Sequence, residues 1–202
     1  MAATARGRRY SIVAILLHWA SALCVLVLIG MGLVMTHAAL APMRQFELYQ
    51  WHKSLGITAL ALTALRLAWR AAHPAPPLPA AMPRPERWAA SSTHVLLYLL
   101  LVGLPLTGWA VVSLSPFNIP TVLFGALPWP HLPLAEVFSD PAWAEGVVKR
   151  VHAYGAWLLT AFLVLHVAAA LRHHLILRDD TLRRMLPLPA APSRSEPMGT
   201  TR

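Results

Sequence analysis

Cysteine and acidic residues are scarce in this chain of 202 residues, and each scarcity excludes a class of protein. Cys24 is the only cysteine, so the sequence has no internal disulfide, no cysteine-based zinc cluster and no Cys-x-x-Cys-His motif for covalent haem attachment. Only 8 residues are Asp or Glu, and charged residues make up 12% of the chain, about half of the share in an average soluble domain. Since 57% of the residues are hydrophobic, the composition indicates a membrane protein.

Four apolar stretches contain no Asp, Glu, Lys or Arg, and they cover residues 11–35, 54–65, 89–135 and 151–171. A membrane span needs about 20 mostly apolar residues, so the second stretch must extend into polar residues at both ends and is the weakest. We predict an all-α, integral membrane four-helix bundle with up-down-up-down topology. The predicted helices are 11–35, 49–71, 91–114 and 147–177.

Proline marks the predicted connections between these helices. It removes a hydrogen-bond donor and fixes φ, so we expect residues 73–85 to form an extended inner loop and residues 115–145 a long outer loop. Pro105 lies inside the third helix and favours a kink there. Residues 1–187 are predicted to form one membrane domain, and residues 188–202 a disordered tail. The first span follows three arginines, but it is too long for a signal peptide and contains a histidine, so we expect it to be retained.

The formal net charge of +9 is explained by topology. If the N-terminus lies inside, 13 Lys and Arg residues fall on the inner side of the membrane and 4 on the outer side. The positive-inside rule then places both termini of this multi-pass protein in the cytoplasm. The partner of this basic charge is expected to be anionic lipid, and not nucleic acid.

Histidine is abundant for so apolar a chain, with ten residues. An ionisable side chain at membrane depth is costly, which makes it a functional candidate. Five histidines lie in or at the predicted spans: His18, His52, His94, His152 and His166. His152 and His166 are 14 residues apart, so they share one face of the fourth helix at depths that differ by about 21 Å.

Alternating helix directions predict which histidines meet. His18 and His166 both fall in the inner half of the bundle, whereas His52 and His152 both fall in the outer half. Each pair suits axial ligation of a haem iron by two imidazoles from facing helices. A lone histidine is more often a hydrogen-bonded core residue, but two pairs at matched depths favour haem. Zinc, copper and nickel also bind imidazole, yet their sites usually need three or four converging ligands.

Basic side chains near these depths are candidate partners for the haem propionates. Arg66 lies in the inner part of the second helix and Lys53 in its outer part, and arginine can bind a carboxylate through two hydrogen bonds. The alternative is that they extend to the lipid headgroups, which is favoured for Arg70. His94, expected at the inner start of the third helix, is either an interfacial residue or a contact for a proton or a quinone.

Two glycines follow the outer histidines by about one helical turn. Gly56 comes after His52 and Gly155 after His152. They either leave space for a flat macrocycle or allow close helix packing.

Motifs in all four predicted helices resemble the bacterial cytochrome b561 family, which is related to the cytochrome b subunits of nickel-iron hydrogenases. They are His18-Trp19, His52-Lys-Ser-Leu-Gly-Ile-Thr, His94-Val-Leu-Leu-Tyr, Leu104-Pro-Leu-Thr-Gly, Leu165-His166-Val-Ala-Ala-Ala-Leu-Arg-His-His and Arg178-Asp-Asp-Thr-Leu-Arg-Arg-Met-Leu-Pro. The resemblance implies two non-covalent b haems on the same four histidines, and electron exchange with ubiquinone. For short stand-alone members it implies superoxide-to-ubiquinone oxidoreductase activity at the outer surface.

Three functions therefore remain open. The first is a stand-alone oxidoreductase that passes electrons from a periplasmic donor to ubiquinone. The second is a membrane anchor that relays electrons for a partner dehydrogenase or hydrogenase. The third is a haem-free metal-binding protein or transporter. Hydrogenase-type relatives usually carry an additional helix, so four spans favour the first.

Overall fold

The computed structural model describes residues 9–74, 76 and 82–187, and four long helices account for most of them. They are α1 (Ile12–His37), α2 (Pro42–Ala72), α3 (Arg84–Leu114) and α4 (Pro141–Arg172). All four are long and apolar enough to cross a membrane, which confirms the predicted membrane bundle. The predicted tail at 188–202 lies outside the described residues, as do the first eight residues and residues 75 and 77–81 of the inner loop.

Three helices begin earlier than the sequence pattern predicts, and a proline stands in the first turn each time. The expected starts are residues 49, 91 and 147, but the helices begin at Pro42, Arg84 and Pro141. Proline fits a first turn because its missing N–H would have no helical partner there. Assigning Pro42, Pro85 and Pro141 to connections was therefore wrong. Further along, α3 continues as one helix across Pro105.

The bundle buries small polar side chains and exposes large apolar ones. Ser21, Ser54 and Thr63 are at most 3% exposed, and each hydroxyl donates a hydrogen bond to the carbonyl four residues earlier. Leu23 and Leu99, in contrast, are 66% and 64% exposed. This distribution is expected where small residues bring helices close together and apolar side chains face lipid. Each helix packs chiefly on its neighbours in sequence, as the up-down-up-down topology requires.

A short β-hairpin interrupts the outer connection between α3 and α4. Its strands, β1 (Thr121–Leu123) and β2 (Leu127–Trp129), pair antiparallel with Thr121 opposite Trp129. Two buried hydroxyls hold the connection on the bundle: Ser54 Oγ accepts from the Phe124 N–H and Ser113 Oγ from the Leu132 N–H, both at 2.9 Å. The sequence pattern does not predict this hairpin, since its strands have three residues each and one contains a proline.

On the inner side, the chain beyond α4 turns back towards the start of α1. After a π-helical turn, His173–Leu177, residues 178–187 form a segment that we call the inner strap. The Arg9 guanidinium donates to the Leu186 carbonyl and Trp19 Nε1 donates to the Met185 carbonyl, both at 2.7 Å. The strap is therefore joined to the helix that carries His18.

Asp179 fastens the start of the inner strap to the end of α4. Its carboxylate accepts from His173 Nδ1 at 2.6 Å and from the Thr181 N–H at 2.9 Å. Burial raises the pKa of Asp179, but the hydrogen bonds from His173 and Thr181 outweigh burial, so the pKa lies below its ordinary value. Because the folded-state pKa is the lower one, this stabilisation is present above the unfolded pKa of about 3.9 and is lost as the pH falls through the folded value.

Asp179→Asn is expected to destabilise the folded chain by about 1 kcal/mol at neutral pH, the ordinary net contribution of one hydrogen bond. Thermal unfolding in detergent should show a lower midpoint temperature for the variant than for the wild type at pH 7. The difference between the two midpoints should become smaller in acid. Glu47→Gln is the matched control, since Glu47 pairs with Arg44 and the two side chains are 48% and 77% exposed. An exposed ion pair contributes little, so an equal loss in both variants would contradict a specific role for Asp179.

Candidate functional site

His52 on α2 and His152 on α4 face each other in the outer half of the bundle. Their ring centroids are 6.4 Å apart, and both rings line a cavity of about 360 Å³. The hairpin contributes Thr121 and Trp129 to the wall of this cavity, which is otherwise mainly apolar. The outer pairing predicted from helix direction is thus the arrangement that the folded chain adopts.

The His152 ring is oriented by α3. Its Nδ1 lies 3.1 Å from the Leu104 carbonyl oxygen and 3.0 Å from the Thr107 hydroxyl. A carbonyl oxygen can only accept, so Nδ1 carries the proton and Nε2 keeps its lone pair. Metal-bound histidines are commonly held in this way, by a hydrogen bond from the nitrogen that does not bind the metal.

Glycines adjust the space around the outer histidines, and the two that we singled out have different roles. A Cβ on Gly56 would meet nothing within 4 Å, so this residue lines the cavity and leaves it open. A Cβ on Gly155 would lie 3.0 Å from Leu104 Cδ2, so Gly155 serves close packing of α3 on α4. Gly108 on α3 also borders this site, since a Cβ there would lie 3.2 Å from His152 Cε1.

His18 on α1 and His166 on α4 form the second facing pair, in the inner half of the bundle. Their ring centroids are 6.3 Å apart, and they line a smaller cavity of about 60 Å³. A macrocycle between them would need neighbouring side chains such as Leu101 to move. Within the described chain, Nδ1 of His18 is buried without a hydrogen-bond partner.

His94 also belongs to the inner site, which corrects its predicted position. Because α3 begins at Arg84, His94 lies about three turns inside the helix and not at its start. Its ring centroid is 5.7 Å from that of His166. Three histidine rings therefore line the inner cavity.

The predicted propionate partners lie beside the two cavities. Arg66 lines the inner cavity, with its guanidinium carbon 5.3 Å from the centre of the Tyr98 ring. Lys53 lines the outer cavity, and its Nζ lies 3.5 Å from the Pro120 carbonyl oxygen. Lys149 also lines the outer cavity. Each cavity thus has at least one cationic side chain in its wall.

The two facing pairs have the spacing required for axial ligation. A metal–imidazole bond of about 2 Å and a ring radius of about 1.1 Å place two rings on either side of one ion with centroids about 6 Å apart. The observed 6.3 and 6.4 Å match this value. In residues 9–74, 76 and 82–187, no group of three or more His, Cys, Asp or Glu is arranged to hold a metal ion. The residues present therefore fit a metal that brings its own equatorial ligands, as haem does.

Comparison with known proteins gives one consistent result. Residues 9–188 match the family described as prokaryotic cytochrome b561. "Cytochrome b561 homolog 2" of Escherichia coli K12 is 32% identical over 92% of this chain and 95% of its own length. "Probable superoxide oxidase CybB" of Yersinia pestis is 30% identical over 89% of this chain and 97% of its own length. "Cytochrome b561 homolog 1" of Escherichia coli K12 is 28% identical, with the same two coverages.

Proposed function

Because the chain belongs to the prokaryotic cytochrome b561 family, a family of transmembrane electron-transfer cytochromes with b-type haem, we propose that it carries electrons across the bacterial inner membrane through two such haems. His18 and His166 would hold the inner haem, and His52 and His152 would hold the outer haem. The observation that carries this proposal is the pair of centroid separations, 6.3 and 6.4 Å, at two depths of one bundle.

Each haem supplies a one-electron carrier, and the chain supplies ligation, orientation and burial. α4 contributes one ligand to each site, so a single helix sets the distance between the sites. On the outer side, Leu104 and Thr107 fix the His152 ring through Nδ1. Arg66 and Lys53 are proposed to bind the propionates of the inner and outer haem, respectively, since both line the corresponding cavity.

We propose superoxide as the outer electron donor and ubiquinone as the acceptor. Two superoxide anions give up one electron each and become two molecules of O₂, and one ubiquinone takes up both electrons and two protons to become ubiquinol. Support comes from the name of the Yersinia pestis relative and from two lysines in the wall of the outer cavity. Lys53 and Lys149 would attract a small anion to this side.

The central test is the optical spectrum of the purified protein in detergent. Reduction with dithionite should give b-type absorption bands, and a pyridine haemochrome assay should give two haems per chain. Ubiquinol and superoxide should each reduce haem in separate experiments. One haem per chain would contradict the two-site proposal, and no haem would contradict the function as a whole.

The rate of haem reduction by superoxide is expected to fall as ionic strength rises, because salt screens the attraction of Lys53 and Lys149 for an anion. Stopped-flow measurements from low to physiological salt would show this dependence. In Lys149→Gln the rate at low salt should be lower and its salt dependence weaker, whereas Arg44→Gln, whose guanidinium pairs with Glu47, is the matched control. A rate that does not change with salt would exclude electrostatic steering.

A further inference from the structure

The inner cavity is lined by three histidines, which is one more than a haem needs for two axial ligands. The ring of His166 has two ring neighbours, His18 at 6.3 Å and His94 at 5.7 Å between centroids. They come from different helices, α1 and α3, and all three rings line the same cavity. In the outer cavity His37 is also present, but its Nδ1 bonds to the Leu33 carbonyl of its own helix at 3.1 Å.

We infer that His94 is an alternative axial ligand for the inner haem, able to replace His18 opposite His166. This inference rests on the proposed function, since it needs a haem in the inner site. It concerns ligand exchange alone: His94 would take the place of His18 in holding the haem, and no electron or proton would be transferred.

The distances support this role for His94. Two imidazoles on one iron have centroids about 6 Å apart, and the His94–His166 separation of 5.7 Å is as close to that value as the His18–His166 separation. The described histidines do not form a three-ligand metal group, so His18 and His94 would bind one at a time. His94 and His166 lie on α3 and α4, which pack together more extensively than any other pair of helices.

No hydrogen bond within the described residues fixes Nδ1 of His18. This atom is buried, as is the equally unpartnered Nδ1 of His52, whereas Nδ1 of His152 is held by the Leu104 carbonyl. The His18 ring contacts the edge of Trp19, at 5.4 Å between centroids. Since a hydrogen bond at the second nitrogen is what normally orients a ligating histidine, packing alone orients His18.

The test replaces each histidine in turn and measures the coordination of the haem. His18→Ala is expected to retain two haems per chain and a six-coordinate, low-spin electron paramagnetic resonance signal for both, because His94 binds the inner iron. His94→Ala should resemble the wild type. The double variant His18→Ala/His94→Ala should lose the inner haem or show a five-coordinate, high-spin signal. His52→Ala, in the outer site, is the matched control. In this variant the low-spin signal of the outer haem should be lost.

The inference is overturned if His18→Ala has the same high-spin signal or the same loss of haem as the double variant. Where His18→Ala does not give a folded protein by size-exclusion chromatography, His18→Gln provides the same comparison with a polar side chain of similar size. Failure of the proposed function is a different result, because the wild-type protein would then contain fewer than two haems. A wild type with two haems and a high-spin inner site in His18→Gln therefore contradicts the His94 inference alone.

Discussion

His166→Ala is expected to leave the chain with one haem instead of two. His166 faces both His18 and His94, so its removal takes away the ligand on which either inner arrangement depends. The outer site lies about 21 Å further along the same helix and has its own ligands, His52 and His152. The pyridine haemochrome assay should therefore give a haem-to-protein ratio half that of the wild type, with the remaining haem low-spin.

Loss of the inner haem should also show which electron-transfer steps require the inner site. Superoxide should still reduce the outer haem of His166→Ala, whereas any electron transfer that needs the inner site should stop. His174→Ala is the matched control. His174 lies just beyond the inner end of α4, but it lines neither the inner nor the outer cavity. Retention of both haems in His166→Ala would refute the pairing, and loss of both would show that α4 no longer folds.

The pairing of the histidines could be predicted because it depends on only two properties of the sequence. The apolar stretches give the number of spans, and their alternating directions give the depth of each histidine. Both pairs are in the structure as predicted, with His18 facing His166 and His52 facing His152. Their role as haem ligands stays a prediction until haem is measured.

The neighbours of these histidines could not be predicted, because they depend on helix ends and on side-chain contacts. His94 looked interfacial only because α3 was expected to start at residue 91, and a first-turn proline moves that start to Arg84. The hydrogen bond from His152 to the Leu104 carbonyl joins residues 48 positions apart in sequence. A signal was present in the motif Leu104-Pro-Leu-Thr-Gly, but its proline indicated a kink in the backbone and not support for a ligand.

Gly108→Val is expected to weaken the outer haem site strongly while leaving the inner site in place. A Cβ at position 108 would already lie 3.2 Å from His152 Cε1, and valine adds two further methyl groups. Overpacking of this kind costs about 1–3 kcal/mol, and here it would push the His152 ring away from the Leu104 carbonyl and from His52. Since each 1.4 kcal/mol is about tenfold in binding, haem affinity at the outer site should fall by about 10- to 100-fold.

Gly103→Val separates this local effect from the general cost of valine in α3. Both glycines lie in the same helix, but a Cβ at position 103 would meet nothing within 4 Å. Transfer of haem to apomyoglobin measures affinity, and it should be faster for one haem in Gly108→Val and unchanged in Gly103→Val. Equal behaviour of the two variants would mean that the His152 ring tolerates displacement. A specific loss would show that Gly108, through its missing side chain, sets the position of the outer ligand.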